Sequence, residues 1–167
     1  MEGANILYET LYEKTNLMKN FLIAFLLFTA CTQPIKDLSE QSAKEIHDAD
    51  LAMNDMALKE GFNKALLAYA DDNLFKPEND RMPIVGKKAL EEHYAGKEGT
   101  KELSWAPFAA VASASGDLGY TMGNWKYATA DTTMFGLYYT IWKKQADGSW
   151  KWTVDGGNNM PSAYQAK

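Results

Sequence analysis

Cysteine, histidine and clustered positive charge are scarce in this chain of 167 residues. The single cysteine cannot form an internal disulfide, and the two histidines, His47 and His93, lie too far apart in sequence for metal-ligand spacing. The net charge of −5, without any basic cluster, argues against nucleic acid as a partner. No glycine-rich phosphate loop, Ser-His-Asp arrangement or paired-acid motif stands out. We therefore expect no metal, no cofactor and no nucleic-acid partner.

The sequence has no hydrophobic run as long as the about 20 apolar residues that a membrane-spanning helix needs. The apolar run at residues 21–30 is ten residues long, and it lies between Met18-Lys19-Asn20 and Cys31. A short basic region, an apolar core and small residues at the end are typical of a bacterial secretory signal. We therefore interpret residues 1–17 as a misassigned start and residues 18–30 as a signal peptide.

Cys31 follows the small residue Ala30 and resembles the lipidated cysteine in the lipobox of bacterial lipoproteins. Phe28 departs from that motif, which usually has leucine at this point. The resemblance implies that Cys31 is acylated and that residues 31–38 are a tether. It also implies export to the cell envelope, with a lipid rather than a helix as the membrane anchor. Plain secretion and a lone reactive thiol are the alternatives.

The rest of the chain is long enough for one domain with its own core, which we expect at residues 39–160, followed by a tail at 161–167. The first half has the helical period, with an apolar stripe on Ile46, Met53 and Ala57 that follows a capping box at residues 42–45. Gly61 is expected to stop or bend this helix. Shorter elements follow: a helix ending near Tyr69, a break at residues 71–73, strands at 74–77 and 82–85, and a helix at 87–94.

From Leu103 onward the period changes to two, which predicts strands at residues 103–113 and 118–127 and a final hairpin. Pro107 predicts a bulge in the first of these strands. Asp147-Gly148, between two aromatic and β-branched runs, is a strong hairpin signal. Tyr138 and Trp142 share one face of the hairpin's first strand. Helices before strands indicate an α+β fold, with N-terminal helices packed on a curved antiparallel sheet.

Three local motifs carry a resemblance to the nuclear transport factor 2-like superfamily, which has a cystatin-like cone fold and includes ketosteroid isomerases and polyketide cyclases. They are Tyr69-Ala70-Asp71-Asp72, the SGDLGYT stretch at residues 115–121 with Gly123, and residues 141–151 running to Asp155. The last two resemble a branch of small exported bacterial proteins of unknown function. The resemblance covers about residues 39–158 and implies a pocket between the concave sheet face and the helices.

The residues that catalyse the isomerase reaction are not matched. Counting from the motifs places Pro77 where an isomerase has its catalytic carboxylate, and Met53 where it has its oxyanion tyrosine. That chemistry needs a carboxylate base and a hydroxyl donor. Glu78, one residue after Pro77, is a carboxylate, but it is displaced from the expected position.

The predicted pocket is lined by one carboxylate and six aromatic side chains, namely Asp155, Tyr69, Trp105, Tyr120, Trp125, Tyr138 and Trp142. Asp155 is the best catalytic candidate, because an inward position among aromatic rings would raise its pKa toward neutrality. An exposed carboxylate at the end of a strand is the alternative. No other acid–base candidate is favoured, since His47 and His93 are expected on helix surfaces.

Three functions stay open. The first is an exported, lipid-anchored domain that binds a small apolar or aromatic molecule. The second is a pocket enzyme of the isomerase, cyclase or dehydratase type, with Asp155 as base and Tyr120 or Tyr138 as donor. The third is an interaction module with a vestigial cavity. A homodimer is expected in all three, because both sheet faces carry large apolar groups.

Overall fold

A computed structural model describes Lys14 and residues 36–165. The predicted start at Met18, the signal peptide, Cys31 and the first part of the tether lie outside the described residues. Residues 36–165 belong to one compact unit. At its beginning, the backbone N–H of Leu38 donates to the carbonyl oxygen of Ala114 at 2.9 Å, so the end of the predicted tether is bound to the domain.

Three helices are described in residues 36–165, and none of them is long and apolar enough to cross a membrane. They are α1 (Ser39–Glu60), α2 (Phe62–Tyr69) and α3 (Lys87–Tyr94). The predicted capping box is wrong, because α1 begins three residues before Ser42. The backbone N–H of Ser39 bonds to the Asp37 carboxylate instead, while buried Ser42 donates its hydroxyl to the Gly116 carbonyl at 3.3 Å.

The strands form one sheet in the order β2-β1-β6-β5-β4-β3. Their bounds are β1 (Ala70–Lys76), β2 (Ile84–Val85), β3 (Leu103–Ala112), β4 (Leu118–Ala128), β5 (Thr133–Lys144) and β6 (Trp150–Met160). Neighbouring strands are antiparallel except β1 and β6, which are parallel. The fold is the predicted α+β arrangement of helices on a curved, mostly antiparallel sheet.

Two local details differ from the prediction. Residues 71–73 lie inside β1 rather than in a break, and the Asp71 carboxylate finds its partners locally and in the residue after β5. Buried Asp71 accepts the amide N–H of Gln145 at 2.9 Å and the backbone N–H of Asn73 at 2.8 Å. Asp155 lies within β6, opposite Thr140, because the strand continues to Met160. The predicted bulge is confirmed by a register shift between Pro107 and Ala109.

A pair of tryptophans fills the space between helices and sheet at the hairpin end. Trp142 and Trp152 are cross-strand neighbours, and both are fully buried. Their indole N–H groups donate to the Thr121 hydroxyl and the Leu66 carbonyl, both at 2.9 Å. Because burial of so large an apolar surface is strongly favourable, this pair anchors the core. At the opposite end of the sheet, side chains fill less of the space between the helices and the strands.

Candidate functional site

A cavity of about 420 Å³ lies at the end of the sheet away from the hairpin. This volume is within the range of small-molecule sites, which runs from about 300 to 1,000 Å³. Its walls come from α1, the start of α2, the end of β1 with the loop after it, and strands β3 to β6. The apolar part of the lining is formed by Met53, Phe62, Pro77, Leu103, Trp105, Trp125, Tyr127, Met134 and Tyr138.

Two glycines make the sheet floor of this cavity possible. A Cβ atom at Gly136 would come closer than 3.0 Å to the indole of Trp125, and one at Gly123 would come equally close to the ring of Tyr138. The Trp125 ring therefore covers Gly136 on the neighbouring strand, and the Tyr138 ring covers Gly123, where larger residues would have a side chain. As a result the cavity has a broad aromatic floor.

Asp50 provides a buried carboxylate from the helix side. Only 1% of its surface is exposed, and it accepts hydrogen bonds from the Trp105 indole at 2.6 Å and the Tyr138 hydroxyl at 2.9 Å. Burial raises the pKa of Asp50, although the bonded donors oppose the shift. Burial and the Asp50 charge also raise the pKa of Tyr138. Asp50 thus fixes two rings of the cavity wall.

Near Asp50, α1 also binds the edge strand β3. One turn after Asp50, the side-chain oxygen of Asn54 accepts the backbone N–H of Trp105 at 2.8 Å. Because β3 is the last strand of the sheet, this N–H would otherwise point away from any strand partner. Asn54 therefore fixes the position of the Trp105 backbone, and Asp50 fixes the position of its ring.

Asp155 is the carboxylate on the sheet side of the cavity. It accepts the hydroxyl of Thr140 at 2.9 Å, and its accessible surface faces the cavity. Burial raises the pKa of Asp155 to about 6, although the Lys76 ammonium and the Thr140 bond act in the opposite direction. The group therefore titrates in the range where acid–base side chains are effective.

Lys76 and Glu78 form an ion pair on the same wall. Their side chains are only 14% and 20% exposed. Burial alone would lower the pKa of Lys76, but the bond to Glu78 and the nearby Tyr94 and Asp155 groups outweigh it and raise the pKa. Lys76 is therefore a protonated donor whose charge is matched by Glu78.

Four of the seven predicted lining residues line the cavity: Trp105, Trp125, Tyr138 and Asp155. Trp142 and Tyr69 do not, because they pack edge to face in the core at the hairpin end, with ring centroids 6.4 Å apart. Tyr120 does not either, because it lies on the outer face of the sheet with 39% of its surface exposed.

The positions counted from the isomerase motifs do reach the cavity. Met53 and Pro77 both line it, although neither carries a reactive group. Glu78 lines it too, but it is paired with Lys76. Sequence reasoning missed Asp50, whose signal was a carboxylate four residues after Ile46 and three before Met53, within the buried stripe of α1.

Neither histidine lines the cavity. His93 on α3 packs edge to face on Tyr94 at 4.7 Å, and the His47 side chain is 41% exposed beside Asp48. Within the described part of the chain, no three His, Cys, Asp or Glu side chains are grouped so that they could hold a metal ion. Chemically, the cavity offers two carboxylates, an ammonium–carboxylate pair and aromatic walls.

Several solved structures have the same architecture as this domain. A ketosteroid isomerase-like protein from Erwinia carotovora atroseptica aligns with a TM-score of 0.58 and 17% identity, over 71% of this chain and 96% of that one. A protein of unknown function from Shewanella oneidensis, described as NTF-2 like, aligns with a TM-score of 0.53 and 20% identity, over 68% of this chain and 96% of that one. The domain has the nuclear transport factor 2-like fold.

A third structure with this fold is a putative scytalone dehydratase from Novosphingobium aromaticivorans. Its TM-score is 0.55 and its identity 13%, over 74% of this chain and 88% of that one. No family model and no curated protein matches the sequence. At these identities the likeness establishes the nuclear transport factor 2-like fold, and the activities named for the neighbours remain theirs.

Proposed function

We propose that this nuclear transport factor 2-like domain binds a small, largely apolar or aromatic molecule between α1 and the sheet. The observation that carries the proposal is the cavity of about 420 Å³, with aromatic walls and a few polar groups converging on it. Sites of this size and composition are characteristic of small-molecule binding. The neighbours described as isomerase-like and dehydratase-like proteins fit the same use of the fold.

The five tryptophans provide an internal test of this proposal. Trp105 and Trp125 line the cavity, whereas Trp142, Trp150 and Trp152 do not. Titration with small aromatic compounds should therefore shift the indole N–H resonances of Trp105 and Trp125 in nitrogen–proton correlation spectra. The other three resonances should stay in place.

A pair of variants makes the test specific. Leu103→Trp adds a large ring to a cavity-lining position and should abolish the response. Leu58→Trp adds the same ring to an exposed position on α1 and should preserve it. Equal shifts of all five indoles, or an unchanged response in Leu103→Trp, would contradict binding in this cavity.

Proton transfer is the second candidate function, and Asp155 is the observation that favours it. Its pKa of about 6 suits a general base that works near neutral pH. The Tyr138 hydroxyl has one proton and donates it to Asp50, whereas the Lys76 ammonium has three N–H groups and uses one on Glu78, so Lys76 is the better placed donor. An enzyme of this kind should exchange an acidic C–H proton of a bound ligand for deuterium in heavy water, and Asp155→Asn should stop the exchange.

Attachment to the cell envelope through Cys31 is a separate part of the proposal. It is supported by the apolar run at residues 21–30 and the small residue before the cysteine. Metabolic labelling with a clickable fatty acid should mark the wild-type protein and leave Cys31→Ser unlabelled. A soluble, unlabelled wild-type protein would rule out the lipid anchor.

The outer face of the sheet supports a homodimer. Val111, Tyr120, Met122 and Tyr139 are each more than a third exposed, and they are neighbours across β3, β4 and β5. Large contiguous apolar patches are rare on monomeric proteins and commonly mark interaction surfaces. A second copy can cover it by two-fold symmetry, because such an interface uses the same patch on both subunits.

A further inference from the structure

The charge of the cavity wall is unbalanced. Four side chains that line it are ionisable: Asp50, Lys76, Glu78 and Asp155. Lys76 is already bonded to Glu78, so this pair is neutral as a unit. Asp50 and Asp155 are left with hydrogen bonds from neutral donors only.

The Lys76 ammonium acts on Asp155 without contacting it and is bonded to Glu78, so among residues 36–165 neither carboxylate has a cation paired directly with it. Across residues 36–165, no Lys, Arg or His nitrogen lies within 4.0 Å of either group. Buried charge without a counter-charge is costly in a low-dielectric environment. A positively charged ligand group would remove that cost, whereas a carboxylate ligand would add to it.

The apolar walls favour the same kind of ligand. Trp105, Trp125 and Tyr138 present rings to the cavity that holds the carboxylates. The faces of such rings attract cations, and tryptophan is the strongest of them. The aromatic surface also accommodates the apolar body of an amine.

We propose that the cavity selects a small molecule with a protonated amine on an aromatic or apolar body, and that the ammonium group pairs with Asp155. This inference rests on the proposed binding function and names the ligand class for the same cavity. Asp50 adds to the negative potential from the helix side, while its bonds to Trp105 and Tyr138 hold the rings in place.

The test uses three probes with nearly the same body: 2-phenylethylamine, 2-phenylethanol and 3-phenylpropanoate. Each is titrated into the protein at pH 7.5, and the Trp105 and Trp125 indole resonances are followed. The amine should bind at least tenfold more tightly than the carboxylate and several-fold more tightly than the alcohol.

Two variants separate the effect of Asp155 from a general surface effect. Asp155→Asn should remove the preference of amine over alcohol while the alcohol still binds. Glu45→Gln is the matched control, because Glu45 lies outside the cavity and accepts bonds from Lys144 and Trp150. Its amine preference should equal that of the wild type.

A pH series gives a second measurement on the unmodified protein. Protonation of Asp155 near pH 6 should reduce the amine preference several-fold between pH 7.5 and pH 5. The charged and titratable groups that influence Asp155 lie on α1, β1, the loop after it, α3 and β5, and they are Asp50, Lys76, Glu78, Tyr94 and Tyr138.

The possible results separate this inference from the proposed function. Amine binding no tighter than carboxylate binding, or an unchanged preference in Asp155→Asn, would overturn the inference and leave the binding function standing. No shift of Trp105 or Trp125 with any of the three probes at millimolar concentration would overturn both.

Discussion

Asp155 and Asp50 are both carboxylates in the cavity wall, but their surroundings differ. Asp50 accepts two strong donors from side chains, whereas Asp155 accepts only the hydroxyl of Thr140. The charged form of Asp155 is therefore less well solvated by the protein. Burial raises its pKa to about 6 because few groups compensate for the lost water.

This pKa makes a prediction about stability. Because the folded state holds the Asp155 proton more tightly than the unfolded state, stability should fall as the pH rises from about 4 to 6. Asp155→Asn removes this loss. The free energy of unfolding of the variant, relative to that of the wild type, should therefore rise across that range, by about 3 kcal/mol at most. Urea unfolding at several pH values between 4 and 8 measures the difference.

The matched control for this prediction is Asp131→Asn, which changes an exposed carboxylate in the loop after β4. Its stability should run parallel to that of the wild type at every pH. If the Asp155→Asn curve also ran parallel, Asp155 would not have the raised pKa on which its proposed role as a general base depends.

At the scale of the elements, the packing of β4 against β5 depends on Gly136, because the Trp125 ring of β4 covers this position of β5. An alanine at position 136 would place its Cβ against both the Asn158 carbonyl and the Trp125 ring. We expect Gly136→Ala to destabilise the domain by about 2 kcal/mol or more, because the Asn158 backbone is fixed in the sheet and the partly buried Trp125 ring lies directly over the position. Chemical denaturation measures the loss.

A second glycine of the sheet supplies the comparison. Gly156→Ala would meet only the hydroxyl end of Tyr139, which lies on the outer face and is 43% exposed. This contact is with the far end of a side chain and not with backbone, so the cost should be clearly smaller. Equal losses for the two variants would contradict the close contacts of Gly136 with the Trp125 ring and the Asn158 carbonyl.

The elements themselves were largely predictable from sequence, and the reasons are local. The change from the helical period to the period of two located the sheet, and Asp147-Gly148 located the hairpin. The start of α1 was missed because Ser42 satisfies a capping motif, yet its hydroxyl bonds to Gly116 far along the chain. A tertiary contact of that kind has no local signature.

The cavity was predictable only in part for a related physical reason. Alternation along β5 places Tyr138 and Trp142 on one face, but it does not say where along the strand the helices stop covering the sheet. Trp142 lies under the helices and Tyr138 lines the cavity. Tyr120 was assigned to the wrong face, since in β4 it is Thr121, not Tyr120, that points inward.

At the scale of the whole molecule, the outer face of the sheet predicts self-association. Met122→Glu would place a charge in the middle of the patch formed by Val111, Tyr120, Met122 and Tyr139. Sedimentation should find the wild-type protein dimeric at micromolar concentration and Met122→Glu monomeric, because burying an unpaired charge in an interface is costly. Leu58→Glu on α1 should leave the dimer intact, and a monomeric wild type would contradict the proposal.

The most direct test of the proposed binding function is native mass spectrometry of the protein purified from its own cells. We expect a bound small molecule of constant mass, present in the wild type and in Leu58→Trp but missing from Leu103→Trp. A wild-type protein that repeatedly carries no small molecule, or a Leu103→Trp variant that retains it, would contradict a ligand site between α1 and the sheet.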